Sequence, residues 1–543
     1  MKKIILIITI ISTAFFSCSD MLEEKNYGNP TIEEMLTNPE NVIRLVGQAY
    51  ADIKWLHDHW GYWGINTLTS DECVVPVRDP GGHWSDGGYW AGMNNHSWTA
   101  NSRAFENLWN KSVSGAVLCN KILQTLKQNE AILDPADYKQ FVGELEVLRS
   151  YYFYTLFDCF GRIPYIEKFK MVDVPLMDTK DVWRELVNCI ERNAPNMPVV
   201  TDGNRAKNYG RVTQGFAYAL LARLYLNAES YGVTDKEYLT ECIEACDKVI
   251  NSNSYSIENS FFTNFKIDNR GSKENIFVIV ENGSANIDER HDNNMMTKLR
   301  IVALTLHYEH QKTWNLIEKP WNGFCAPPEF INKYNDFDLR GTGIGYESDG
   351  TNNTGTYGWF IGPVYNAAGT DILLDENRDE VVIVNEITSL TAAGWNEGAR
   401  LLKYEVDKQA RWRYCENDFV LFRYADVLYM KAEAELRKNG STTMLGNVDF
   451  QRIRTRANVE PYTTLTPDEL LNERGREFAW ENVRRRDLIR FGHFTNGNWS
   501  GWGAWRGVRS GAHLKWFPIP RAILEKSPRE NGVPIWTQNP GYN

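Results

Sequence analysis

The stretch Arg78-Asp79-Pro80-Gly81-Gly82-His83-Trp84-Ser85-Asp86-Gly87-Gly88-Tyr89-Trp90 concentrates residue types that recognise sugars. Trp84 and Trp90 stand among glycines that keep the backbone low, and a flat indole suits the apolar face of a pyranose ring. Arg78, Asp86 and the nearby Asn94 are types that make bidentate or charge-assisted hydrogen bonds to vicinal hydroxyls. The spread of tryptophan agrees. Of 19 in the chain, seven fall between Trp55 and Trp109, four between Trp314 and Trp395, and the helix-like middle holds only Trp183. The competing reading is that these rings cap small satellite cores, because large aromatics are mostly buried and dominate packing.

Other chemistries lack a signature. There is no HExxH, no GxSxG and no P-loop. A glycosidase needs two carboxylates roughly 5 to 9.5 Å apart. Nothing marks such a pair among the 70 acidic residues, so a surface glycosidase stands as an alternative beside a structural adhesin. Gly341-Thr342-Gly343-Ile344-Gly345 has no strand–helix context. Asp336, Asp338, Gly341 and Glu347 match calcium-loop positions, but Arg340 stands where a ligand oxygen is needed. Neither a metal nor a cofactor is expected. Cys73, Cys119, Cys159, Cys189, Cys242, Cys246, Cys325 and Cys415 form no CxxC and read as small core residues.

The N-terminus sets the compartment. Met1-Lys2-Lys3 and the almost wholly apolar run Ile4 to Phe16 form a secretory signal too short to span a bilayer, which takes roughly 20 residues. Phe16-Ser17-Cys18 resembles a bacterial lipobox, so residues 1–17 are read as a lipoprotein signal and Cys18 as the acylated, palmitate-type anchor. Residues 18–40 are then a tether and 41–543 the folded domain. Acidic Asp20, Glu23 and Glu24 follow the Cys. Cleavage removes Lys2 and Lys3 and takes the formal charge from −11 to −13. So acidic a chain argues against nucleic acid, whose phosphates need clustered Lys and Arg. Arg484-Arg485-Arg486 is read as structural, paired along one helix with Glu477 and Glu481.

The elements that must position these residues are mostly helical. Apolar periodicity predicts helices over Asn41 to Lys54, Ala104 to Leu126, Asp181 to Arg192, Arg211 to Ala228, Asp235 to Asn251 and Phe419 to Arg437. Asp134-Pro135 opens another running toward Phe160, and Thr466-Pro467-Asp468-Glu469 a capping box whose helix continues to about Arg490. Small residues at Ala217, Ala219, Ala222, Ala228, Ala425, Ala432 and Ala434 suit closely packed helical hairpins. The long inserts Gly61 to Ala100, Ile267 to Trp321 and Gly341 to Gly398 are the natural place for function.

Several motifs together resemble the SusD/RagB family of nutrient-binding lipoproteins. They are Gly143-Glu144-Leu145-Glu146-Val147-Leu148-Arg149-Ser150-Tyr151-Tyr152 with Gly161-Arg162-Ile163-Pro164, then Gly210-Arg211-Val212-Thr213, and Pro327-Pro328-Glu329-Phe330 with Asp338 and Arg340. Further along come Phe422-Arg423-Tyr424-Ala425-Asp426-Val427-Leu428-Tyr429-Met430-Lys431-Ala432-Glu433-Ala434, Glu473-Arg474-Gly475-Arg476-Glu477-Phe478, Arg485-Arg486-Asp487-Leu488-Ile489-Arg490 and the tail Gln538-Asn539-Pro540-Gly541-Tyr542. The resemblance implies a single, mostly α, SusD-like domain with degenerate tetratricopeptide-type hairpins and long irregular ligand-binding loops. It implies no enzyme activity but capture of a polysaccharide or oligosaccharide. The expected place is the outer face of the outer membrane, with the protein lipid-anchored and partnered by a TonB-dependent SusC-like transporter. It extends the ligand surface to Tyr308, Trp314, Trp321 and Asn322, and makes Arg149, Glu433, Arg476 and Asp487 ion-paired scaffold.

Overall fold

A computed structural model describes residues 32–78, 84–169, 173–235, 237–281, 301–342, 357–409, 415–494 and 511–542. The expected signal, Cys18 and the first part of the expected tether lie outside them. Folded structure begins before residue 41: helices Ile32–Leu36 and Pro39–Gly47 bury Leu36, Val42 and Val46 in the main core. The domain therefore starts earlier than the sequence suggests.

Two 26-residue helices, Arg103–Gln128 and Pro135–Phe160, form the first hairpin. Asp134 caps the second by accepting from the amides of Ala136 and Asp137, with Pro135 in the first turn, where no amide is needed. The helices approach closely at Gly115, where a Cβ would lie 2.2 Å from the Tyr152 ring. Thr179–Asn193 packs on the second of these helices. Gln214–Leu226 and Tyr238–Ile250 make the next hairpin, and Tyr424–Asn439 packs against it. Ala217, Ala219, Ala222, Ala425, Ala432 and Ala434 are fully buried where these helices meet. The eight cysteines among the described residues are all buried, and none of them forms a disulfide. The mostly helical architecture is as expected.

Two segments depart from the helical pattern. Phe419–Arg423 is a strand, paired antiparallel with Asn275–Ile279 and buried along its whole length, and the helix starts only at Tyr424. A short apolar run joined to a helical period has no periodicity of its own to reveal it. The helix opened by Thr466, whose hydroxyl accepts from the Glu469 amide, stops at Glu477 and resumes at Arg484–Arg490. Between them Trp480 and Asn482 take positive φ, 60° and 66°. Tertiary bonds hold this break. The Trp480 amide donates to Glu72 Oε2 at 2.9 Å, its indole N–H to the Glu72 carbonyl at 3.0 Å, and the Trp63 indole donates to the Trp480 carbonyl at 2.8 Å.

A buried charge network locks the C-terminal helices to the rest. Arg423 meets Glu274, Glu477 and Glu481 at 2.6 to 2.8 Å, and Arg340 meets Asp338, Glu473 and Glu477 at 2.7 to 2.8 Å. Arg474 bridges Asp426 and Asp487, and Arg490 bridges Glu433 and Asp487. Burial opposes ionisation of Glu433 and Glu473, and the adjacent guanidiniums overcome it, holding both near pKa 2. Arg149 pairs with Glu146, and Arg476 with Glu469 and Glu473. The arginine run differs from the intrahelical pairing read from sequence: Arg484 reaches Asp71, Arg486 reaches Asp158, and Glu477 and Glu481 face Arg423. In the potential calcium loop, Asp338 is taken by Arg340, and Glu347 lies outside the described residues.

Candidate functional site: an aromatic patch on a guanidinium frame

Three connecting segments run side by side. Bridges join Val74 to Cys325, Arg78 to Ala393 and Ala326 to Ala399. The first segment leads toward Trp84, the second follows Trp321, and the third carries Trp395. Trp84 packs against Gly323, where a Cβ would fall 2.4 Å from its ring. Trp84 is 5.2 Å from Trp321, 5.6 Å from Trp90, and stacked on Phe324 at 5.8 Å and 15°. Trp60 continues the surface, 4.5 Å from Trp90 and 5.3 Å from Tyr89, with the Arg103 guanidinium 4.6 Å above it. Trp60, Trp84, Tyr89 and Trp321 are half-buried, packing against the main core while leaving part of their surface to solvent.

The floor beneath is buried. His59 sits 5.3 to 5.8 Å from Trp60, Trp84, Trp90 and Trp321, its Nδ1 against the Asp58 carboxylate. Trp90 is fully buried, and its indole N–H donates to Asp86 at 2.8 Å. Asp86, Gly87 and Gly88 all have positive φ, which carries the exposed Asp86 carboxylate out to the rim.

The residues nominated from sequence thus separate. Trp84, Asp86 and Trp321 come together at the surface. Trp90 is in the floor. Arg78 and Asn94 do not face solvent, and their hydrogen-bonding capacity is spent. Asn94 accepts from the Val75 amide and donates to the carbonyls of Leu68 and Cys73. Arg78, 2% exposed, donates to the carbonyls of Asn322, Gly394 and Glu397 and to Cys325 Sγ. Asn322 is fully buried at φ 53°, accepting from Arg400 at 2.7 Å and donating to the Trp395 carbonyl at 3.0 Å. Trp314 stacks on His310 in a small separate core with Leu306 and Leu402. Tyr308 is almost buried beneath Lys319 and edge-on to Trp395. For these five, packing and hydrogen bonding inside the protein replace the ligand contact read from sequence.

Sequence reasoning left out Trp60, Tyr89 and His59 as site residues. Their signal was the aromatic run His57-Asp58-His59-Trp60 together with Tyr89 beside Trp90. Trp395 is also half-buried, adjoining the patch through Asn322. Buried arginine gives the site its charge. Burial lowers the pKa of Arg78, and burial with the charge of Arg78 lowers Arg400 to about 9, which leaves Arg400 cationic near neutrality.

Comparison with known proteins matches this architecture. The sequence model of the SusD family covers residues 273–542, and that described as "Starch-binding associating with outer membrane" covers residues 67–226. The chain belongs to the SusD family. It is 24% identical over 502 residues to the starch-binding protein SusD of Bacteroides thetaiotaomicron, across 88% of this chain and 85% of that one. Among solved structures, a SusD superfamily protein of Parabacteroides distasonis superimposes with a TM-score of 0.71 at 18% identity, over 93% of this chain and 99% of that chain. Surface glycan-binding protein A of B. thetaiotaomicron in complex with laminarihexaose does so with 0.68 at 18% identity, over 92% and 99%.

Proposed function

We propose that the protein is a cell-surface lipoprotein that captures a neutral glucan and passes it to a TonB-dependent SusC-like transporter in the outer membrane. The observation that carries this reading is the patch of half-buried indoles, Trp60, Trp84 and Trp321, beside Tyr89, with Asp86 at its rim. Uncharged ring faces suit the apolar faces of pyranoses, and the exposed carboxylate can accept from hydroxyls. Relatives named for starch, and similar folds named for laminarin or in complex with laminarihexaose, favour a glucan. Capture is favoured over cleavage: the patch carboxylates are engaged, Asp58 with His59 and Asp86 with the Trp90 indole. No helix among the described residues is long and apolar enough to cross a membrane. Attachment through Cys18 follows from the lipobox-like sequence.

Two experiments test this. Affinity electrophoresis against laminarin, amylopectin, xyloglucan and mannan should show retardation by a glucan, with no new reducing ends after prolonged incubation. Retardation by none of them contradicts glycan capture; reducing ends that persist through repurification favour the glycosidase. Cys18→Ala should release the protein from the outer-membrane fraction, and retention of the variant there contradicts the lipid anchor.

A further inference from the structure

The buried arginines of this fold differ in their company. Arg340, Arg423 and Arg456 each sit among two or three carboxylates. Arg78 and Arg400 are as deeply buried, and among the described residues neither pairs with a carboxylate. Their partners are almost all backbone carbonyls. Arg400 donates to the carbonyls of Glu397, Gly398 and Trp395 and to Asn322 Oδ1, and its Nε has no partner. The Glu397 carbonyl accepts from Arg78 at 3.0 Å and from Arg400 at 2.9 Å. The Trp395 carbonyl accepts from Arg400 at 3.1 Å and from Asn322 Nδ2 at 3.0 Å. The two guanidiniums therefore act on the same short piece of chain.

Burying a guanidinium without a counter-charge is costly, and an apolar side chain would fill the space more cheaply. What the arginines gain is geometry. Each planar fork fixes several carbonyls at once, and those carbonyls belong to the segments that carry Trp321 and Trp395. Trp84 in turn packs on Gly323, the neighbour of the Asn322 whose carbonyl Arg78 binds.

We propose that Arg78 and Arg400 form one positioning knot that fixes the placement of Trp84, Trp321 and Trp395 relative to one another, so that the site selects a chain long enough to span these arms over a short one. The inference deepens the glucan reading and rests on it for the ligand. Arg78 and Arg400 touch no sugar; they act through the backbone carbonyls of Asn322, Gly394, Trp395, Glu397 and Gly398.

The test uses the full folded domain labelled with 5-fluorotryptophan, resonances being assigned by single Trp→Phe replacement. In Arg400→Gln the fluorine signals of Trp321 and Trp395 should shift together while that of distant Trp183 stays. Arg400→Lys, which keeps the charge, should return them part of the way. If Arg400→Gln fails to fold, Asn322→Gly removes the side-chain tie while tolerating the positive φ, and the same joint shift is expected. Laminarihexaose affinity should fall by about tenfold in the variant and laminaritriose affinity by less than about twofold, as expected when a linked second contact is lost. Unmoved Trp321 and Trp395 signals in a folded variant overturn the knot, and equal losses for both oligomers overturn the length selection. If wild type binds neither oligomer, the glucan reading fails, and the fluorine spectra still decide the knot.

Discussion

Glu72 should weaken the folded protein as pH rises, and replacing it with Gln should strengthen it. Its carboxyl is buried 1% exposed under Trp480, with Oε2 accepting from the Trp480 amide and Oε1 without a partner. Burial, with the nearby charge of Asp71 adding to it, raises its pKa from 4.5 to about 8. Below pH 4.5 both the folded and the unfolded chain hold the proton, and there is no penalty. Between 4.5 and 8 the unfolded chain has released a proton that the folded chain still binds, so stability falls with pH; above 8 the penalty is constant. At about 1.36 kcal/mol per pH unit this reaches about 3 kcal/mol at pH 7. Glu72→Gln keeps the shape and an acceptor for the Trp480 amide. Urea unfolding of wild type and variant should give nearly equal midpoints at pH 4.5 and a variant more stable by up to about 3 kcal/mol at pH 7. A stability difference that does not change with pH, or a variant less stable at pH 7, would refute the buried neutral carboxyl.

Other consequences concern the scaffold. His57, with the Tyr151 hydroxyl and the Asn482 amide on its ring nitrogens, and His310 are both held near pKa 3 by burial, assisted by the charges of Arg223 and Arg400 respectively. Their contribution is complete above pH 6.5 and is lost as pH falls toward 3. Each should account for about 2 kcal/mol of lost stability at pH 5, and His57→Gln should flatten that limb in a pH series of melting curves. Arg149→Ala breaks the pair with Glu146 and the bonds to Asn120 and the Glu167 carbonyl. It should cost about 3 kcal/mol or more, seen as a lowered melting temperature with glucan affinity per folded molecule unchanged. Arg423→Met leaves Glu274, Glu477 and Glu481 facing one another with one guanidinium fewer. Its loss of stability should be similar at neutral pH and should shrink as acid protonates the carboxylates, checked by unfolding at pH 7 and pH 4.

Much of the scaffold was legible in the chain because its signals are local. Asp134-Pro135 and Thr466-Pro467 cap the helices that they announce. What escaped was set at a distance. Phe419–Arg423 is a strand because Asn275–Ile279 pairs with it, and the helix after Glu477 breaks because Glu72 and Trp63 bind Trp480. The site follows the same rule. Residue type brought forward Trp84 and Trp321, aromatic candidates that the fold places 5.2 Å apart. Type alone could not tell an arginine aimed at a hydroxyl from one aimed at backbone carbonyls, which is where Arg78 points. Nor could it tell the half-buried Trp84 from the fully buried Trp90 six residues on, since that depends on which face of the turn at Asp86 each ring takes.

The central claim is that glucan stacks on the patch of Trp84 and Trp321. Titration calorimetry of laminarin into wild type, Trp321→Ala and Trp84→Ala tests it most directly, with melting curves run in parallel. Loss of one stacking ring should weaken binding by about 1 kcal/mol, the size of an aromatic pair contact. Trp84→Ala should also lower the melting temperature, because its inner face packs on Gly323 and Phe324. The account predicts measurable binding by wild type and a clear loss per folded molecule in both variants. Undiminished laminarin binding by folded Trp321→Ala and Trp84→Ala would contradict it.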